Sequence, residues 1–93
     1  VTAEEAMQYG MIYKIFDDTA LLAQAIINAE HIASMPTKAI GLTKRLLNKT
    51  YSNTLEEQLN FEKDIQIEAA NSYDYKEGVN AFLEKRKPEF KGE

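Results

Sequence analysis

Apolar residues recur at every third or fourth position through most of this chain, and helix-ending signals interrupt them at short intervals. The clearest run lies between Leu22 and Ala33. Such spacing places the apolar side chains on one face of an α-helix. Pro36, Ser52-Asn53 and Asn71-Ser72-Tyr73 divide the periodic segments that follow. The pattern therefore predicts a mostly α fold of about five helices joined by short connections.

One segment, Met11–Phe16, departs from this pattern. It combines β-branched and aromatic residues and is bounded by Gly10 and by Asp17-Asp18. These features predict a short extended segment. So few residues cannot build a sheet alone, and the chain offers no second strand to pair with them.

Bulk properties limit the possible partners. The 93 residues suffice for one domain, residues 1–93, with a modest core. A net charge of -4 disfavours nucleic acid as a partner, and the absence of cysteine excludes disulfides and thiolate chemistry. No apolar run approaches the roughly 20 residues of a membrane span, and we expect no signal peptide. We expect a cytoplasmic protein with no nucleic-acid or membrane partner.

The chain opens on Val1-Thr2, without an initiator methionine, directly at a helix start. This predicts a piece of a longer protein, whose chemistry would then lie in the part outside this chain.

Paired carboxylates are the most obvious candidates for acid/base chemistry. Two pairs, Glu4-Glu5 and Glu56-Glu57, fall in capping boxes that begin at Thr2 and Thr54. Adjacent residues on a helix do not face each other, so these pairs and Asp17-Asp18 are interpreted as helix caps. No acid/base dyad is predicted.

Other catalytic and metal-binding patterns are also missing. His31 is the only histidine and lacks neighbours that would complete a zinc site, so we interpret it as a helix-surface residue. Ser34, Ser52 and Ser72 have no base at useful spacing, and the 4 glycines form no phosphate loop. We predict no catalytic residue, no metal site and no covalently bound cofactor within the chain.

The predicted helix after Thr54 has an unusually wide apolar face. Its members cover about half of the circumference, more than the stripe of an ordinary surface helix: Leu55, Leu59, Phe61, Ile65, Ala69 and Ala70. A small domain would struggle to cover such a face. We expect packing on two sides, against the chain itself and against another subunit.

The last predicted helix carries the candidate binding residues. It lies within Asp74–Gly92 and ends in the basic cluster Lys85-Arg86-Lys87 before Pro88. Phe82 and Lys85 are neighbours on its surface, so an aromatic ring and a mobile cation could receive a flat, anionic group. The competing interpretation makes Phe82 a core residue and Lys85 a cation that offsets the helix dipole.

The order and spacing of several motifs resemble the C-terminal part of the enoyl-CoA hydratase/isomerase (crotonase) superfamily along nearly the whole chain. These motifs are Thr2–Ala6 with Tyr9–Ile12, Met35–Ile40 with Leu42-Thr43-Lys44, Thr54–Leu59 with Glu62, and Glu77–Pro88 with Phe90-Lys91-Gly92. Within the superfamily, Gly10-Met11-Ile12 with Asp17-Asp18, and Asp74–Gly78, are most similar to the ring-epoxide isomerase branch of phenylacetate degradation.

The resemblance implies a parent enzyme that acts on an acyl-CoA thioester as substrate. Its catalytic ββα spiral core and oxyanion hole would lie outside this chain. The chain itself would be the helical region that covers the core and builds a trimer, commonly stacked as a hexamer. The family places the residues matching Phe82 and Lys85 near the CoA adenine and phosphates. By itself the chain is expected to be inactive.

Two other hypotheses come from the residues themselves. The chain could be a stand-alone all-α protein-interaction module, because no catalytic set lies within it. It could also self-associate through the apolar face of Leu55–Ala70.

Overall fold

A computed structural model describes residues 1–93. It confirms the mostly α prediction and contains five helices and no strand: α1 (Ala3–Gln8), α2 (Asp18–Ala33), α3 (Thr37–Thr50), α4 (Leu55–Ala70) and α5 (Tyr73–Glu84). In the segment predicted as extended, residues 11–13 are bends and residues 14–17 have no regular secondary structure. None of the helices is long and apolar enough to cross a membrane. The helices fall into two compact units, Val1–His31 and Ile32–Glu93.

In the first unit, α1 is bounded by local hydrogen bonds. The predicted capping box is present: the Thr2 amide donates to Glu5 Oε2 (2.8 Å), and the Glu5 amide donates to Thr2 Oγ1 (3.2 Å). At the other end Gly10 has φ 72°, which is left-handed backbone. The Met11 amide then reaches back to the Ala6 carbonyl at 2.8 Å, as in a Schellman motif.

The first unit buries none of its residues fully. Helix α2 begins at Asp18 and confirms the periodic helix predicted there. Its apolar side chains remain accessible, with Leu22 74% and Ile26 50% exposed. The described chain therefore leaves the apolar face of α2 open.

The second unit holds the small apolar core. Helices α3 and α4 pack against each other, and the buried apolar side chains are Leu42 on α3, Ile65 on α4 and Ala81 on α5. Pro36 stands one position outside α3 as its N-cap, at the boundary that the sequence predicts. Its carbonyl still accepts the first helical bond, from Ile40 at 3.2 Å.

The turn between α3 and α4 is fixed by side-chain amides. Gln58 donates to the Leu46 carbonyl at 3.4 Å and accepts from Asn53 at 3.0 Å. The second predicted capping box is present as well, since the Thr54 amide donates to Glu57 Oε2 at 2.7 Å. These bonds orient the start of α4 against the end of α3.

The wide apolar face of α4 is divided between core and surface. Ile65 is 5% exposed, and Phe61 is half-buried. Leu55 and Leu59, by contrast, are 77% and 57% exposed. The chain itself therefore covers only part of the face, and the second subunit expected on the remainder stays a prediction.

Candidate functional site

Helix α5 buries a polar face and exposes an apolar one. Ser72 is its N-cap, with Oγ accepting from the Tyr75 amide at 3.1 Å. The buried helical residues are Asp74, Glu77 and Ala81, spaced three and four apart on one side. Two carboxylates in that position require hydrogen-bond partners, because an uncompensated buried charge is costly.

The Asp74 carboxylate binds the backbone of the C-terminal segment. Its Oδ1 accepts from the Lys91 amide at 2.7 Å, and its Oδ2 accepts from the Gly92 amide at 2.9 Å. The Asp74 amide donates in turn to the Glu93 carbonyl at 3.1 Å. Asp74 thus fastens the last residues of the chain beside the first turn of α5.

The Glu77 carboxylate fastens the same segment one helical turn further on. Arg86 meets it as a bidentate fork, with Nη1–Oε1 and Nη2–Oε2 distances of 2.5 and 2.9 Å. The Glu89 amide also donates to Glu77 Oε1, at 2.9 Å. The Arg86 hydrogen bonds, followed by the one from Glu89, lower the pKa of Glu77 from 4.5 to about 2. The carboxylate is therefore ionised at neutral pH.

Helix α5 ends at a lysine with left-handed backbone. Lys85 has φ 54° and is the only non-glycine residue with positive φ in residues 1–93. The Arg86 amide donates to the Ala81 carbonyl at 3.0 Å, and the Lys85 amide donates to Phe82 at 3.3 Å, completing a Schellman motif. Glycine usually occupies this position because an L-residue there is strained. A strained backbone conformation at a candidate binding residue is compatible with a functional role.

The structure leaves both predicted site residues accessible. Phe82 is 83% exposed, so it is not part of the core of this chain. Lys85 is also exposed, and no carboxylate forms an ion pair with its ammonium group. Both stand at the end of α5, where the Lys85 amide donates to the Phe82 carbonyl at 3.3 Å.

A largely apolar groove of about 420 Å³ runs beside Phe82. Its walls come from the exposed face of α5, from the start of α3 and from the end of α4. The main apolar lining residues are Pro36, Ala39, Ala69, Tyr75, Val79, Phe82, Leu83 and Phe90. Phe90 also packs on the helix at Gly78, where a Cβ would lie 3.6 Å from its ring. The C-terminal segment thus supplies part of one wall.

The arrangement supplies binding groups rather than acid/base groups. Glu5 and Glu57 act in capping boxes, and the hydrogen bond from the Thr54 amide lowers the pKa of Glu57. No group of three or more His, Cys, Asp or Glu side chains in residues 1–93 is placed to hold a metal ion. The groups that this surface offers are an apolar groove, an exposed aromatic ring and an exposed lysine.

Three residues that organise this end of the molecule were not identified from the sequence. In the sequence, Asp74 and Glu77 stand out only as parts of the family motifs, and Arg86 only as part of the basic cluster. The one available signal was their spacing: Asp74 and Glu77 are three apart on a helix, and a basic residue follows beyond its end. That pattern is too common to indicate long-range bonds.

Comparison with known proteins agrees with this architecture. The family model described as enoyl-CoA hydratase/isomerase matches residues 1–93. The 1,2-epoxyphenylacetyl-CoA isomerase of Escherichia coli is 46% identical over 92 residues, which is 99% of this chain and 35% of that protein. A probable mitochondrial enoyl-CoA hydratase of Dictyostelium discoideum is 38% identical over 88 residues, covering 95% of this chain and 32% of its own length.

Solved structures of this family also superimpose on the chain. A putative enoyl-CoA hydratase/isomerase from Mycobacterium abscessus superimposes with a TM-score of 0.93 at 30% identity, over 100% of this chain and 36% of that one. The chain thus spans about a third of the length of the relatives it matches, and it corresponds to their C-terminal region. Sequence, helix order and three-dimensional superposition all agree, and the chain belongs to the enoyl-CoA hydratase/isomerase family.

Proposed function

We propose that this chain is the C-terminal helical region of an acyl-CoA-processing enzyme, in which it covers the active site, contacts the CoA nucleotide and builds the oligomer. The observation that carries the proposal is the full-length match to the enoyl-CoA hydratase/isomerase family. The 46% identity to the E. coli protein favours 1,2-epoxyphenylacetyl-CoA isomerisation among the reactions of that family. The acid/base groups and the oxyanion hole lie outside this chain.

Phe82 and Lys85 supply the nucleotide contact. An exposed ring offers an apolar wall for adenine, and an ammonium group without a carboxylate partner is available to a phosphate. The adenine end of CoA is remote from the reacting thioester. Contacts there act on substrate and transition state alike, so they lower KM more than they raise kcat.

The test is Lys85→Ala in the full-length enzyme, with Lys87→Ala as the matched control two positions away. We expect Lys85→Ala to raise KM for acyl-CoA by about tenfold with kcat nearly unchanged, because one charge-assisted contact contributes about 1.5–3 kcal/mol. Lys87→Ala should change neither constant appreciably. A large loss in kcat at unchanged KM would count against the nucleotide contact.

A second measurement separates the phosphate from the adenine. Lys85→Ala should weaken CoA binding more than it weakens binding of dephospho-CoA, which lacks the 3′-phosphate. Phe82→Ala should weaken both ligands equally, because both carry adenine. If Lys85→Ala lowers the affinity for the two ligands equally, the lysine contacts the diphosphate instead of the 3′-phosphate.

The oligomer-building role rests on the exposed part of α4. Leu55 and Leu59 present apolar surface that the described chain leaves open, and a subunit contact would remove it from water. Sedimentation of the full-length protein should give a trimer or a hexamer. Leu59→Asp should shift it toward smaller species, whereas a monomer at all concentrations would refute the role.

A further inference from the structure

Arg86, the residue after Lys85, is bound through both its backbone and its side chain. Arg86 follows Lys85 directly and is held at two places, its backbone amide on Ala81 at 3.0 Å and its guanidinium on Glu77 at 2.5 and 2.9 Å. Only Glu77 provides a contact outside the local turn, since Glu84, the other carboxylate on Arg86, lies two positions away in sequence. The position of Arg86, and with it the turn at Lys85, therefore depends on Glu77.

Without such a restraint, Lys85 would leave the left-handed region. An L-residue strongly prefers right-handed or extended backbone, and lysine has no side-chain bond that offsets this preference. The glycine that ends α1 has no comparable preference to overcome. A lysine in this position therefore points to a restraint supplied by the surrounding structure.

We propose that Glu77 is a positioning residue, which through Arg86 holds Lys85 in the left-handed conformation that presents its ammonium group, beside Phe82, to a CoA phosphate. The proposal rests on the proposed function of Lys85. Glu77 itself does not touch the ligand. It acts by keeping the binding-competent backbone of Lys85 populated, so that binding does not have to select it from a mixture.

The experiment is a double-mutant cycle on the full-length protein, with CoA as the titrated ligand and binding measured by calorimetry. Glu77→Gln retains the shape of the side chain and removes its charge. We expect it to weaken CoA binding by about tenfold, the population loss that relaxation from the left-handed region would cause. Glu84→Gln is the matched control, since it removes only the local partner of Arg86, and its effect should be much smaller.

The decisive comparison is made in the Lys85→Ala background. If Glu77 acts through Lys85, adding Glu77→Gln to Lys85→Ala should weaken CoA binding no further. Independent, additive losses would overturn the positioning role. A loss for Lys85→Ala with none for Glu77→Gln would overturn it as well, and would leave the proposed nucleotide contact intact.

Hydrogen exchange tests the backbone part without any ligand. In Glu77→Gln the amides of Lys85 and Arg86 should exchange at least about tenfold faster, while those in the middle of α5 remain protected. Combining Glu77→Gln with Lys85→Gly should restore this protection, because glycine accepts the left-handed backbone without help. CoA affinity should not recover, because the ammonium group is gone.

The two proposals fail in different ways. Unchanged CoA binding in Lys85→Ala would refute the nucleotide contact, whatever the exchange rates show. Unchanged exchange at Lys85 and Arg86 in Glu77→Gln would refute the restraint, even if Lys85→Ala weakens binding. If Glu77→Gln prevents folding, Arg86→Lys, which retains the charge and loses the fork, replaces it in the same cycle with the same expected outcomes.

Discussion

Two helices of this protein end in the same backbone motif but with different residues. Helix α1 ends at Gly10 with φ 72°, and helix α5 ends at Lys85 with φ 54°. Both close with an amide that reaches back five residues, Met11 to Ala6 at 2.8 Å and Arg86 to Ala81 at 3.0 Å. The difference lies in what holds the motif in place.

At the end of α1 the motif needs nothing beyond the local chain. A Cβ added at Gly10 would meet no neighbouring atom within 4 Å, and Ala6 is only half-buried. At the end of α5, Ala81 is 1% exposed, and the residue after the lysine is bound to Glu77. A glycine can end a helix by its own conformational freedom, whereas a lysine in the same conformation requires tertiary contacts.

The largest effect should come from removing the bonds that hold the C-terminal segment. In Asp74→Ala the Lys91 and Gly92 amides lose a charged acceptor, and we expect a loss of about 2–3 kcal/mol in the free energy of unfolding. The measurement is urea unfolding, with hydrogen exchange at positions 91 and 92. Asp64→Ala, on the exposed surface of α4, is the control. Equal stability of the two variants would show that the segment is not held by Asp74.

The next effect compares the two alanines whose carbonyls close the motifs. Ala81→Leu inserts three carbons into a buried site and should destabilise the protein by about 1–3 kcal/mol. Ala6→Leu should change stability by less than about 0.5 kcal/mol, since leucine is a good helix former and the site is partly open. Urea unfolding of both variants measures the change in stability. Similar losses of stability would mean that the Ala6 and Ala81 sites are equally buried.

Substitutions at Gly10, after α1, and at Lys85, after α5, should change the stability of the protein in opposite directions. Gly10→Ala forces a side chain into the left-handed region and should cost about 1 kcal/mol. Lys85→Gly relieves the same strain and should stabilise the protein by about 0.5–1 kcal/mol, despite the greater flexibility of glycine in the unfolded chain. Thermal unfolding measures both. A destabilising Lys85→Gly would show that no strain is held at that position.

The smallest expected effect is the loss of stability at low pH, when Glu77 on α5 becomes protonated. The pKa of Glu77 is lowered to about 2 in the folded protein from an ordinary 4.5, so its contribution to stability is complete above about pH 4.5 and is lost as the pH falls toward 2. The effect is modest because Arg86 is 40% exposed and solvent screens the pair. Unfolding curves of wild type and Glu77→Gln should therefore converge in this pH range, and a constant difference would contradict the assignment.

The helix caps are the part of the fold that could be predicted from the sequence. Thr2 with Glu5 and Thr54 with Glu57 form the predicted boxes. Each box joins residues three positions apart, so the sequence contains all the information required. The short segment around Met11–Phe16 forms no strand, as a segment without a pairing edge would behave.

The sequence indicated which residues form the candidate site, but not how the fold arranges them. The helical spacing of Phe82 and Lys85 and the family resemblance brought them together as a pair, and the structure leaves both exposed. Their assignment as CoA-binding residues stays a proposal. Spacing alone could not show which face of α5 is buried, because both faces carry residues at three- and four-residue intervals.

The sequence by itself determined the helical periodicity and the starts of α1 and α4, because periodicity and capping boxes are interactions between near neighbours. Tertiary structure decided the rest: that α5 buries Asp74 and Glu77, while Phe82 stays in the open. Those outcomes depend on Arg86, nine positions from Glu77, and on the Gly92 amide, 18 from Asp74. A buried carboxylate is tolerable only once such distant partners have folded onto it.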